Sequence, residues 1–368
     1  MSFLHLVRPE IRAETAYRVP TTTHVDAKVD QNESPFDLPE SVKQAAIADA
    51  LATPWNRYPD DRPHRLIAAL ADRWEIPAEG LIVGHGSNEI AHTIGLCFLS
   101  EGTPVVLPHP MFALYASVAR MHGARLVEVD PRPDFGHDAS AILDAAVGSN
   151  APLTIVTTPN NPTGQSISHE NLNALAEGVP GVLLIDEAYH EFVTGPTALD
   201  LVKRHDNVLV MRTFSKAMGM AGVRLGTLIG APDLIQEIEK ARVPFLVDRW
   251  GEALGLAMLD HADLIDDRVR QLVASRDELF AWVTGLEGVE AIPSDANFFL
   301  FRTPLDASVL RAQMAERGVL IRDVTGYPAL APREGTPGWT RVSIGTDVEN
   351  AAFREALSGV LRDAGAAA

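Results

Sequence analysis

The sequence predicts an α/β protein in two parts, a mostly parallel sheet of about seven strands followed by a smaller α+β region. Three observations carry this reading. From about 80 to 230, short apolar runs alternate with helical stretches, the pattern of strands joined by crossover helices. Beyond about 285 that alternation gives way to a different mixture of strands and helices. The chain has 368 residues, 46% of them hydrophobic, which is long for one domain and enough to fill two cores.

Taken in order, residues 1–27 hold Pro9, Pro20 and the cluster Thr21, Thr22, Thr23 without periodicity, and read as an arm rather than a packed element. A helix is expected over 41–51, stopped before Pro54. The polar, proline-broken loop WNRYPDDRPHR follows, then a second helix over 65–74. Seven strands are expected at 81–83, 104–107, 125–129, 153–157, 182–185, 207–211 and 224–229. Helices over 231–242 and, as one long connector, 249–285 lead out of the sheet. Strands at 298–301, 319–322 and 340–344, with helices at 305–317 and 348–363, complete the chain.

Composition removes several classes of function. A formal net charge of -18 argues against nonspecific nucleic-acid binding, which needs a basic surface. Cys97 is the single cysteine, so a disulfide framework and a multi-cysteine metal site are excluded; its place in the apolar run 94–99 reads as buried filler. The twelve histidines, His85, His109, His190 and His261 among them, form no metal-site spacing such as H-E-x-x-H, and no metal is expected. MSFLHLVRPEIRAE is too charged for a secretory signal and no run reaches a membrane span, so a cytoplasmic protein is expected.

Four motifs follow expected strands, where open sheets of this kind bind ligands. RTFSKAMGMAGVRLG places Lys216 in a Ser/Thr/Gly-rich turn beside Thr213, Ser215 and Arg224, a layout suited to a phosphorylated cofactor tethered to the lysine. Alone, such a lysine is usually a solvated charge. GHGSNE opens a helix, so the amides of Ser87 and Asn88 point toward an anion, although an ordinary capped turn explains the motif as well. TPNNPTG offers Asn161 at a strand end, and DEAYHEF offers Asp186 with Tyr189 nearby; a buried carboxylate there needs a partner such as a protonated pyridine nitrogen, or else caps a loop. In the small part, Arg341 of TRVSIGT and Arg322 of GVLIRD sit in strand-like runs. An arginine there is costly unless it meets an anion, with Asp323 an alternative structural partner.

In this order, DQNESP, NRYPD, GHGSNE, HPMFALY, TPNNPTG, DEAY, RTFSKAMGMAGVRLG, SDANFFLFR, GVLIRD and TRVSIGT resemble the fold-type I, pyridoxal-phosphate-dependent aminotransferases, and within them the histidinol-phosphate aminotransferase family. The resemblance spans nearly the whole chain. It implies an arm at 1–27, a large cofactor-binding domain at 50–250 with a mostly parallel seven-stranded sheet, and a smaller α+β domain made of 28–49 and 251–368. It implies pyridoxal 5′-phosphate as cofactor, with Lys216 bound to it and then moving the proton, and Asp186 paired with the ring nitrogen. Asn161 and Tyr189 would bond the ring oxygen, and Phe112 would stack on the ring. Ser87, Asn88, Thr213, Ser215 and Arg224 would hold the phosphate, with Tyr58 reaching in from the second subunit of a homodimer. Tyr17, Asn32, Tyr58, Arg322 and Arg341 would meet the substrates.

The implied reaction is ping-pong transfer of an amino group between histidinol phosphate and 2-oxoglutarate, a step of histidine biosynthesis. An aromatic (phenylalanine) aminotransferase is the alternative, with a phospho-amino-acid decarboxylase and a non-catalytic cofactor-binding protein behind it. Met111, Ser34 and Asp61 depart from the usual pattern, at positions that touch the pocket rather than the chemistry.

Overall fold

In the computed structural model, residues 3–16, 25–333 and 335–365 are described. Thirteen strands follow one another among them. A short β1 (Ala27–Lys28) precedes β2 (Leu81–Gly84), β3 (Pro104–Pro108), β4 (Arg125–Val129), β5 (Leu153–Thr157), β6 (Val182–Asp186), β7 (Val208–Thr213) and β8 (Gly226–Ile229). After a helical stretch come β9 (Glu290–Ile292), β10 (Phe298–Arg302), β11 (Val319–Leu320), β12 (Arg322–Asp323) and β13 (Thr340–Ser343).

Seven strands form one sheet in the order β2-β8-β7-β6-β5-β3-β4, all pairings parallel except the two made by β8. Its central strands are apolar on both faces, as a doubly covered parallel sheet requires. Leu183 and Ile185 of β6 point into one core and Leu184 into the other, following the strand's period of two. Leu66, Leu70, Ile142 and Leu172, from three helices, fill the first core; Ile90, Ile94, Tyr115 and Ile235 fill the second. The parallel arrangement brings the carboxyl ends of β2, β5, β6 and β7 to one edge, and the sequence motifs begin there.

The second sheet has the order β12-β13-β10-β9 and is antiparallel throughout. Separately, β1 pairs in parallel with β11. The run expected as one strand at 319–322 is therefore two: Val319 and Leu320 face β1, then Arg322 and Asp323 join β13. The split arises because each half has a different partner, one of them almost 300 residues earlier in the chain.

Other expectations need correction. The long helix over 249–285 is two, Arg249–Leu259 and Ala262–Thr284, parted at Asp260 and His261. His261 leaves the helical conformation (φ -118°, ψ 41°) and its Nδ1 lies 2.8 Å from the Ala257 carbonyl, capping the first helix. Residues of the arm are not without packed elements, since Pro9–Ala13 is helical with Pro9 at its first position, and Glu14 just after it accepts bonds from Ser117 and Arg120. The strand expected from 224 begins at Gly226, because Arg224 adopts a left-handed φ of 62°. Cys97 is exposed rather than buried filler: the buried face of helix Gly86–Phe98 ends at Gly95. No helix among the described residues is long and apolar enough to cross a membrane.

Candidate active site

Most of the residues named from sequence converge at the carboxyl edge of the large sheet. Asp186 is the last residue of β6 and is buried; its Oδ2 accepts the Tyr115 hydroxyl at 2.7 Å and its Oδ1 the Ala188 N–H at 3.0 Å. Burial raises its pKa to about 6 in spite of these two bonds. A carboxylate so placed gains from a further, cationic hydrogen-bond partner.

One strand further, the turn after β7 carries the anion-binding groups. Thr213 donates its hydroxyl to Ser215 Oγ at 3.0 Å and accepts the Ser215 N–H at 3.2 Å. Arg224 donates to Ser215 Oγ at 3.3 Å and to the Ala221 carbonyl at 3.0 Å. The left-handed backbone at Arg224 turns its guanidinium toward the N-terminus of helix Gly86–Phe98, where a Cβ on Gly86 would lie 2.6 Å from Nη2. Gly226 also has no room for a side chain: a Cβ would stand 2.5 Å from the Ser87 amide. Hydroxyls, a guanidinium and the first amides of a 13-residue helix thus surround one spot, a cradle for a dianionic phosphate. Ser87 is half-buried and Asn88 exposed.

Lys216 extends from the same turn. Its Nζ donates to the Gln31 carbonyl at 3.1 Å and lies 5.7 Å from the centre of the Tyr189 ring. Burial, then the positive charges of Arg341, Arg224 and Lys28, lower its pKa to about 8, opposed by Glu33. At pH 7 about a tenth of this lysine is an amine rather than an ammonium, the form that can attack a carbonyl. In the cofactor-free protein, acylation of Lys216 by an isotopically labelled anhydride should rise with pH to a midpoint near 8. Mass spectrometry of the labelled peptide reads it, and a midpoint close to the ordinary lysine value of about 10.4 would refute the depressed value.

Tyr189 is buried, edge-on to Phe298 at 5.1 Å, and its hydroxyl accepts amide protons from Asn32 at 3.0 Å and Asn161 at 3.4 Å. Burial raises its pKa to about 12, so the phenol stays protonated and can donate. Asn161 Oδ1 in turn accepts from Arg341 Nη1 at 2.6 Å, while Arg341 Nη2 donates to the Asp30 carbonyl at 2.8 Å. Arg341 is buried over the Phe298 ring, its Nε has no partner, and burial lowers its pKa. Register places Arg322 directly beside it. Asp323 Oδ1 accepts from both the N–H and the hydroxyl of Thr325.

Asn32 reaches the site with its side chain committed. Its amide donates to Tyr189, and its Oδ1 accepts from Ser343 Oγ at 3.0 Å, in a backbone held at φ 56°. Phe112 is half-buried, with its ring edge-on to Tyr115 at 6.3 Å. Tyr58 is 78% exposed and stacks on Phe245 at 4.8 Å. Tyr17 lies outside the described residues.

Sequence reasoning missed three supports of this site. Tyr115 bonds Asp186, as described. Glu187 forms a buried pair with Arg212, whose Nε and Nη2 reach Oε2 at 3.1 and 2.8 Å, and Glu187 also accepts from Thr197 and the Ala198 N–H. This pair ties the end of β6 to that of β7, fixing Asp186 relative to the Lys216 turn. Asn160, fully buried, donates to the Pro110 carbonyl at 2.7 Å and Thr163 at 2.9 Å, which locks the TPNNPTG turn onto the HPMFALY segment. The signal was present for the last two, since Glu187 adjoins Asp186 and Asn160 adjoins Asn161, but their partners were not.

Comparison with known proteins agrees with this geometry. Residues 27–357 match the family profile described as aminotransferase class I and II. Histidinol-phosphate aminotransferase of Chlorobium phaeovibrioides is 37% identical over 354 residues, 96% of each chain. The enzyme of the same name from Chlorobaculum tepidum is 37% identical over 88% of this chain and 93% of its own. Among solved structures, histidinol-phosphate aminotransferase from Sinorhizobium meliloti, in complex with pyridoxal-5′-phosphate, superposes with a TM-score of 0.84 at 28% identity, over 97% of this chain and 98% of that one. Thermus thermophilus aspartate aminotransferase variants share the fold, with a TM-score of 0.78 at 23% identity. The match across 27–357, together with full-length relatives above 30% identity, places the chain in the family of class I and II aminotransferases.

Proposed function

We propose that the protein is a pyridoxal-phosphate-dependent aminotransferase that moves an amino group between histidinol phosphate and 2-oxoglutarate. The observation that carries the cofactor is the cradle of Ser87, Thr213, Ser215 and Arg224 set beside a lysine of lowered pKa and a buried, raised-pKa carboxylate. The residues present fit that cofactor: an anion site for its phosphate, Lys216 for its aldehyde, Asp186 for its ring nitrogen. When bound, pyridoxal phosphate supplies an aldehyde that takes up the amino group and an electron-poor ring that weakens the substrate's Cα–H bond.

The chain's own groups supply the rest. Lys216 Nζ, mobile at the end of its side chain and easily deprotonated, carries the proton to and from the substrate carbon. Asp186 would keep a proton on the ring nitrogen. Asn161 and Tyr189 would donate to the ring oxygen, Phe112 would cover the ring, and Asn88 would help hold the phosphate at the helix end. Arg341, with Arg322 beside it and Tyr17 of the arm, binds the distal anion, and Asn32 holds Tyr189 in place.

Histidinol phosphate is favoured as donor by the full-length relatives of that name and by two adjacent arginines able to accept either a phosphate or a carboxylate. We also divide the chain into an arm (1–27), a large domain (50–250) and a small domain (28–49 with 251–368). The β1–β11 pairing supports joining the early segment to the late one. A homodimer is supported by an exposed aromatic surface in which Trp55 meets Trp250 at 5.4 Å and Tyr58 stacks on Phe245; paired, it would carry Tyr58 to the second subunit's phosphate. A cytoplasmic location fits a biosynthetic enzyme of this kind. The function is tested by incubating the purified protein with histidinol phosphate and 2-oxoglutarate: glutamate should accumulate, and its absence would overturn the assignment.

A further inference from the structure

The Asp186 carboxylate is held on both oxygens by its own chain, and the side-chain donor is Tyr115. Tyr115 is 3% exposed, lies on helix Ala113–Met121 directly after Phe112, and packs among the apolar residues on that face of the sheet. Its ring would satisfy that packing as phenylalanine. The hydroxyl is the part that needs explaining, because a buried hydroxyl is costly without a partner and here its partner is the carboxylate.

We propose that Tyr115 is a positioning residue of the reaction: its hydroxyl fixes the plane of the Asp186 carboxylate and weakens that carboxylate's hold on a proton, so that the proton shared with the cofactor's ring nitrogen stays on the nitrogen. This rests on the role given to Asp186 above. A hydrogen bond donated to a carboxylate stabilises its ionised form. Around Asp186 the bonds from Tyr115 and Ala188 and the charge of Lys216 favour ionisation, while burial and the neighbouring Glu187 oppose it. Losing the phenol tips that balance toward a protonated acid and a neutral ring. At 2.7 Å the hydroxyl sits at ordinary hydrogen-bonding distance from the carboxylate oxygen.

The test loads the holoenzyme with cofactor labelled with nitrogen-15 in the ring and records the nitrogen chemical shift at neutral pH. In the unaltered protein the shift should be that of a protonated pyridine. Tyr115→Phe should move it toward the neutral value and lower kcat on the order of tenfold, with KM for the donor changed much less. Placing 4-aminophenylalanine at 115 keeps the shape with a weaker donor and should give an intermediate shift, which also carries the test if the phenylalanine variant folds poorly. A nitrogen shift unmoved in both variants overturns the proposal. Asp186→Ala separates the two levels: a shift that moves there but not in the position-115 variants sinks only the role of Tyr115, whereas one unmoved even there sinks the role of Asp186.

Discussion

Lys216→Ala is expected to reduce turnover by roughly 10⁴-fold or more, the scale of losing a positioned acid-base group together with the point of cofactor attachment. The reason is geometric. Nζ hangs between the Gln31 carbonyl and the Tyr189 ring, at the mouth formed by β6, β7 and the loop around Asn32. Fold should survive the change. A lysine lowered from 10.5 to about 8 costs stability throughout the range below 8, a cost relieved as pH rises from 8 toward 10.5. Alanine removes that cost, so at neutral pH the cofactor-free variant should melt no lower on this account. The measurements are steady-state transamination, the visible absorbance of the bound cofactor, and thermal unfolding. Retained transamination in a folded Lys216→Ala protein would remove the lysine from the mechanism.

Arg341→Ala is expected to lower kcat/KM for doubly anionic substrates by about 3–5 kcal/mol, the cost of stranding one member of a buried charge pair, or roughly 100- to 5,000-fold. Arg341 is buried, spends Nη1 on Asn161 and Nη2 on the Asp30 carbonyl, and leaves Nε without a partner. Those bonds orient the guanidinium, and in the proposed site a ligand anion would supply its counter-charge. Since Asn161 also touches the Tyr189 hydroxyl, part of the loss should appear in kcat. Initial rates with glutamate as donor read the effect. A loss below tenfold would show that the distal anion is bound elsewhere, with Arg322 the next residue to substitute.

The strand ends were legible because each apolar run stops at a polar motif: Leu184 and Ile185 lead to Asp186, and Leu209 to Met211 lead to Thr213 and Lys216. A parallel sheet then brings those ends together without any knowledge of distant contacts. What the sequence did not disclose were pairings set by the fold at long range. Tyr115 meets Asp186 across 71 positions, Asn32 meets Tyr189 across 157, and Arg341 meets Asn161 across 180. No periodicity encodes such contacts. The same limit explains the division of 319–323 between two sheets, since apolar character marked a strand while its partners β1 and β13 were unknown. The break at Asp260 and His261 was hidden for a different reason: helical composition continues across it, while the backbone leaves the helical conformation at His261. Arg224 was seen as an anion ligand, yet its left-handed backbone, which aims it at Gly86, had no mark in a residue type that seldom adopts it.

The identity of the amino donor is read from the ratio of kcat/KM for histidinol phosphate to that for phenylalanine, each with 2-oxoglutarate as acceptor. Paired arginines at Arg322 and Arg341 favour the donor that brings a phosphate; with charge-assisted bonds contributing about 1.5–3 kcal/mol each, the ratio should exceed roughly 100. A ratio near or below one would make the protein an aromatic aminotransferase instead.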